Sequence, residues 1–99
     1  MTLILLEEAE AEFADAVFYY EGIESGLGKR FRDEVSATLA WIVEHPTASR
    51  LRPGSYYRIN LRIFPYYTAY IIREEKLWVL AIAHGHRKPH YWIGRTKRS

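Results

Sequence analysis

The sequence predicts an α+β fold in the order β-α-α-β-β-β, with a helical hairpin packed on a mainly antiparallel sheet and a basic C-terminal tail. Three observations predict it. Apolar residues recur every three or four positions as far as Ile42, they alternate every second position beyond Pro46, and glycines stand where a hairpin has to reverse. All 99 residues are expected to form one domain, 1–99, since a chain of this length holds a single core. At 48% hydrophobic and 26% charged, the composition is globular, not disordered.

Residues 3–6, all Leu or Ile, read as a short buried strand. Ala9, Phe13, Val17 and Tyr20 then fall on one helical stripe, while Glu8, Glu12, Asp15 and Glu21 lie mostly off it and are expected to face water. Glu7, Glu8 and Glu10 occupy the first turn, where the helix dipole favours negative charge. Tyr19 and Tyr20 cannot both point inward, so one of them is expected at the surface. Gly22, Gly26 and Gly28 permit a tight reversal. Leu27, Phe31, Val35, Leu39 and Ile42 write the second helix, which Pro46 ends by pushing His45 out of helical conformation.

Residues 56–63 alternate. Tyr57, Ile59, Leu61 and Ile63 are assigned to the core face, and Tyr56, Arg58, Asn60 and Arg62 to the opposite one. Pro65 marks a turn or an edge. Residues 67–73 form the next strand, Glu74, Glu75 and Lys76 the hairpin turn. Residues 77–84 are nearly all apolar, as in a central strand covered on both faces. Gly85 opens a polar, basic tail that runs through Ser99.

Charge is divided along this plan. Residues 1–44 hold ten acidic side chains against Lys29, Arg30 and Arg32, a net of −7; residues 45–99 hold eleven Lys and Arg against Glu74 and Glu75, a net of +9. The basic half also carries most of the aromatic rings, a combination suited to a polyanion or an acidic protein segment. The chain lacks cysteine, which fits a reducing cytoplasm. Its longest apolar runs, 3–6 and 79–83, are too short to span a bilayer, and no signal peptide is expected where Glu7 and Glu8 follow at once.

Arg58 and Arg62 are the first candidates. Four residues apart on a strand, they would leave one face about 13 Å apart and hold two phosphates or two carboxylates. The second cluster runs over residues 83–92 and contains His84, His86, Arg87, Lys88, His90, Tyr91 and Trp92. No Cys or nearby Asp or Glu completes a metal set there, so no metal and no cofactor is expected. Histidines near neutral pH can move protons beside a charge-stabilising Arg87. Against that, His84 can simply end a strand while Tyr91 and Trp92 pack over the sheet, the role favoured for the two rings. Ser25 lacks a nucleophile motif, and no phosphate loop is present.

In their order and spacing these residues resemble the RelE/ParE superfamily of bacterial toxins. The likeness rests on Arg58, Phe64-Pro65-Tyr66 and Tyr70, on residues 79–84, and on Arg87-Lys88-Pro89 followed by Tyr91, Trp92 and Arg95. Gly26-Leu27-Gly28, Phe31 and His45-Pro46 are similar too, so the resemblance spans residues 3–95. It implies the toxin of a type II toxin–antitoxin pair, held in a hetero-oligomer by a ParD-like or similar cognate antitoxin. The nuclease branch implies a ribosome-dependent, metal-independent messenger-RNA endoribonuclease using Arg58, Arg62, His84, Arg87 and Tyr91. Here Asn60 stands where that branch usually has lysine, and Tyr67 where it has an important arginine. The Phe-Pro-Tyr turn and the tail are closer to the ParE branch, which implies binding to DNA gyrase without chemistry. Target or antitoxin contacts are then expected from Arg58, Arg62, Arg87, Lys88, Tyr91, Trp92 and Arg95.

Overall fold

A computed structural model describes residues 1–98; Ser99, the last residue of the expected tail, lies outside the described residues. β1 (Thr2–Leu5) leads into α1 (Glu7–Ile23) and α2 (Leu27–Glu44), followed by β2 (Tyr57–Asn60), β3 (Tyr66–Arg73), β4 (Lys76–His84) and a 3₁₀ segment, Ile93–Arg98. The strands form one sheet in the order β1-β4-β3-β2. β1 is parallel to β4 and the other pairs are antiparallel, so the sheet is mixed.

The helices form as their stripes predict. Phe31, Val35, Leu39 and Ile42 are buried, and α2 stops at Glu44 with His45 outside helical geometry. Of the three glycines assigned to the reversal, Gly26 makes the turn, with φ 90°; Gly22 and Gly28 lie inside the helices. Gly28 serves close approach instead, since a Cβ there would stand 2.6 Å from the Val17 carbonyl oxygen. Glu21 fastens the reversal by accepting from the Gly26 and Gly28 N–H groups at 2.9 and 3.0 Å.

Two cores result. Between helices and sheet, Phe31, Val35, Ile42, Tyr70, Leu77, Val79 and Ile82 pack together. On the other face Tyr56, Tyr67, Ala69, Ile71, Leu80, Ala81 and Ala83 gather under Trp92. The second face therefore is not the open surface that alternation alone implies. The tail folds over it, and Tyr56, assigned to the outer face, is 3% exposed beneath that cover.

The expected strand over 56–63 also ends early. Pairing stops at Asn60↔Tyr67. The Leu61 N–H donates to the Tyr66 carbonyl at 2.9 Å, and Glu34 on α2 accepts from the Arg62 and Ile63 N–H groups at 2.7 and 3.2 Å. Those donors are taken from the sheet, and Ile63, assigned to the core, is 69% exposed. At the β3–β4 hairpin, Glu74 and Glu75 take left-handed φ of 54° and 62°, the two-residue turn that matches strand twist. Between β3 and β4 the register shifts at Ala69/Tyr70 of β3, leaving Leu80 of β4 as the extra residue of a bulge.

Candidate functional site

Five of the candidate residues, Arg58, His84, His86, Arg87 and Tyr91, gather at one end of the sheet. Tyr66, on β3, borders two adjoining clefts. One cleft, of about 270 Å³, is lined by Arg58, Asn60, Tyr67, Gly85 and His86; the other, of about 250 Å³, by Glu12, Asp15, Tyr19, His84, Arg87 and Tyr91. The His84 and His86 rings lie 4.9 Å apart, and His84 meets the Tyr66 ring edge-on at 5.0 Å. Arg58 lies flat over Tyr67, 3.8 Å from the ring centre, and its Nε donates to Asn60 Oδ1 at 3.0 Å. The two positions where an endoribonuclease set departs thus form the seat of Arg58.

Arg62 is not among them. Because β2 has ended, its side chain lines another, apolar groove of about 690 Å³ against α2, with Glu34, Ala37, Trp41, Ile59 and Ile63, which meets the first cleft at Asn60. Arg58 and Arg62 therefore do not share a face, and the paired-guanidinium surface expected from alternation is absent. The groove was not legible as a site: exposed Trp41 stacks on His45 at 4.8 Å, and Ile63 stands out beside it.

The tail residues divide by role. Arg87 and Lys88 are exposed at the turn after β4. Trp92, expected among the partner-facing residues, is 1% exposed, and its Nε1 donates to the Tyr67 hydroxyl at 2.7 Å. It holds the tail to the sheet and presents no surface. His90 does not reach back to His84 and His86; its Nε2 lies 2.8 Å from the Tyr56 hydroxyl. Among the described residues no group of three or more His, Asp or Glu is placed to hold a metal.

Glu12, assigned to water, is instead the hub of this end. Its carboxylate accepts from the Tyr91 hydroxyl at 2.6 Å, from the Ile82 N–H at 3.1 Å, and from both Arg95 Nη atoms at 3.2 Å. Burial, then the Glu12 hydrogen bond and its charge, push the Tyr91 phenol far above the ordinary tyrosine range. Arg95, another expected contact residue, is committed to Glu12 and to the Leu80 carbonyl at 2.9 Å. His84 Nδ1 accepts from the His86 N–H at 3.0 Å, so a neutral His84 carries its proton on Nε2. Tyr91 and one nitrogen of His84 are therefore engaged within the fold. Tyr66 is half-buried against Tyr20 and Phe31, Arg58 is half-buried over Tyr67, and Arg87 and Lys88 face outward. The arrangement is equipped to bind charge and stack rings.

The sequence matches the family described as ParE toxin of type II toxin–antitoxin system, parDE, over residues 3–89. No curated protein matches it. Among solved structures it is similar to a chain of the chromosomal ParDE TA system from P. aeruginosa, with a TM-score of 0.66 at 19% identity, covering 85% of this chain and 95% of that one. It is equally similar to a free E. coli RelE toxin carrying two arginine-to-alanine changes, with a TM-score of 0.66 at 20% identity over 97% of this chain and 95% of that one. The isolated E. coli RelE toxin gives a TM-score of 0.64 at 19% identity, covering 99% and 98%. At these identities the structural likeness establishes a shared fold.

Proposed function

The chain belongs to the family of ParE toxins of type II toxin–antitoxin systems, and from that premise we propose that it arrests growth by binding DNA gyrase in the cytoplasm. A cognate ParD-like antitoxin relieves the arrest. The observation that carries a binding mode is how the candidate residues are engaged, with His84 Nδ1 already taken by the His86 N–H. Tyr91 has its proton committed to Glu12, Arg95 is neutralised by the same carboxylate, and Arg62 lines a groove against α2, away from them. What remains accessible at this end is a set of cations, Arg58, Arg87 and Lys88, around the half-buried Tyr66 ring. Such a surface suits an acidic or DNA-bearing partner, with charge governing encounter and rings supplying contact area.

The antitoxin needs a different surface. An apolar groove with Trp41, Ile59 and Ile63 as its walls and Arg62 at its rim fits an amphipathic segment carrying acidic residues. Apolar burial there supplies most of the affinity, and Arg62 fixes orientation.

The test is supercoiling by purified gyrase with increasing toxin, with and without antitoxin. Inhibition or trapping of cleaved DNA, reversed by antitoxin, is the expected result. Normal supercoiling at saturating toxin would remove this target, and cleavage of messenger in a translating extract would move the activity to the ribosome.

A further inference from the structure

β1 ends opposite Val79, so the edge of β4 beyond that point meets no strand. Two side chains complete it. Arg95 donates to the carbonyl of Leu80, the bulge residue, at 2.9 Å, and Glu12 accepts from the Ile82 N–H at 3.1 Å. The two join each other at 3.2 Å, with side chains only 16% and 15% exposed. Tyr91 is tied to the same carboxylate at 2.6 Å, and its ring carries the Arg87 guanidinium 4.0 Å from its centre. The Arg87 side chain has no hydrogen bond or ion pair of its own among the described residues. The Tyr91 ring is its seat.

We propose that Glu12 is the positioning residue of the toxic surface: by fixing Tyr91 it holds the Arg87 guanidinium beside His84 and Tyr66, where the target is met. This rests on the reading of the clefts around Tyr66 as the target-binding face. A long cation already seated on a ring loses less rotamer freedom at contact than one free in water. Glu12, its carboxylate taken by Tyr91, Ile82 and Arg95, acts through Tyr91. A merely structural carboxylate would behave differently, since removing one member of a buried pair weakens the whole fold and both binding activities with it.

The experiment is a double-mutant cycle on the full chain with Glu12→Gln, Arg87→Ala and the pair, read at a temperature well below every melting midpoint. Gyrase inhibition, growth arrest on induction and affinity for the antitoxin are measured for each. Glu12→Gln and Arg87→Ala are each expected to weaken inhibition by about tenfold, a change of ~1.4 kcal/mol. The pair should be no weaker than Arg87→Ala alone, with antitoxin affinity unchanged. Losses that multiply in the pair, a matching loss of antitoxin affinity, or full potency in Glu12→Gln would overturn the proposal. If Glu12→Gln does not fold, Tyr91→Phe removes the hydroxyl bond and keeps the ion pair. It should lose potency in the native background and none in the Arg87→Ala background; any other pattern refutes the role. Should the native chain arrest growth without inhibiting gyrase, the target reading fails, and the same cycle scored on growth still decides the part played by Glu12.

Discussion

Single residues here are held by close approach and by burial of polar tips, and both give measurable consequences. Gly28→Ala would drive a Cβ to 2.6 Å from the Val17 carbonyl and 2.9 Å from Glu21 Cβ, forcing the helices apart. A loss of about 1–3 kcal/mol in urea unfolding is expected. Burial raises the phenols of Tyr20, Tyr66, Tyr70 and Tyr91 above their ordinary value of 10.0. The folded chain thus keeps these protons where the unfolded chain releases them. Their contribution is fully present below the unfolded value and declines as pH rises above it toward the folded values. Unfolding midpoints should be insensitive to these tyrosines at neutral pH and fall above pH ~10, less steeply in Tyr91→Phe. Residues whose partners are neighbours on a helix stripe, such as Phe31 and Val35, were legible in the sequence. Glu12 was not, because its partners Ile82, Tyr91 and Arg95 lie 70 to 83 positions away and leave no local pattern.

At the scale of elements, period decides type and tertiary bonds decide ends. The two helices, the buried central strand and the β3–β4 turn follow from spacing, and each forms close to its expected bounds. β2 shows what spacing misses. Leu61 continues the alternation and is buried, yet the strand has ended, because Glu34 draws the next two N–H groups toward α2. The tail is the opposite case: the rings of Tyr91 and Trp92 announce packing, but not that it covers a whole sheet face. Trp92 sits edge-on to Tyr56 at 4.7 Å and satisfies the Tyr67 hydroxyl. Trp92→Ala is therefore expected to cost about 3–5 kcal/mol and to detach the tail. Hydrogen exchange should show lost protection along the Tyr67 and Leu80 segments together with the lower urea midpoint. A stability loss under about 1 kcal/mol would mean the tail contributes little to the fold.

Across the whole molecule, two arginines that the sequence merged into one surface come apart. Arg58 belongs to the tail side, over Tyr67, and Arg62 to the helix side, beside Trp41 and Ile63. Strand order and the parallel β1–β4 pair, which bring Glu12 to the tail, required the third dimension. If target and antitoxin use different clefts, toxicity and neutralisation are separable by mutation. Ile63→Asp places a charge in the apolar groove at a residue already 69% exposed, so the fold should tolerate it. Antitoxin affinity should fall by about tenfold or more, as expected when an acidic segment meets a like charge in an apolar site. Inhibition of the target should stay at the native level. Arg87→Ala should do the reverse. Isothermal titration with the antitoxin and the supercoiling assay, run on the same two proteins, measure both halves. A single variant that abolished both activities while keeping its native melting midpoint would show one shared surface, and with it neutralisation by direct occlusion. Separation of the two would instead require the antitoxin to reach around the sheet edge at β2, or to act on the tail through the core that Trp92 closes.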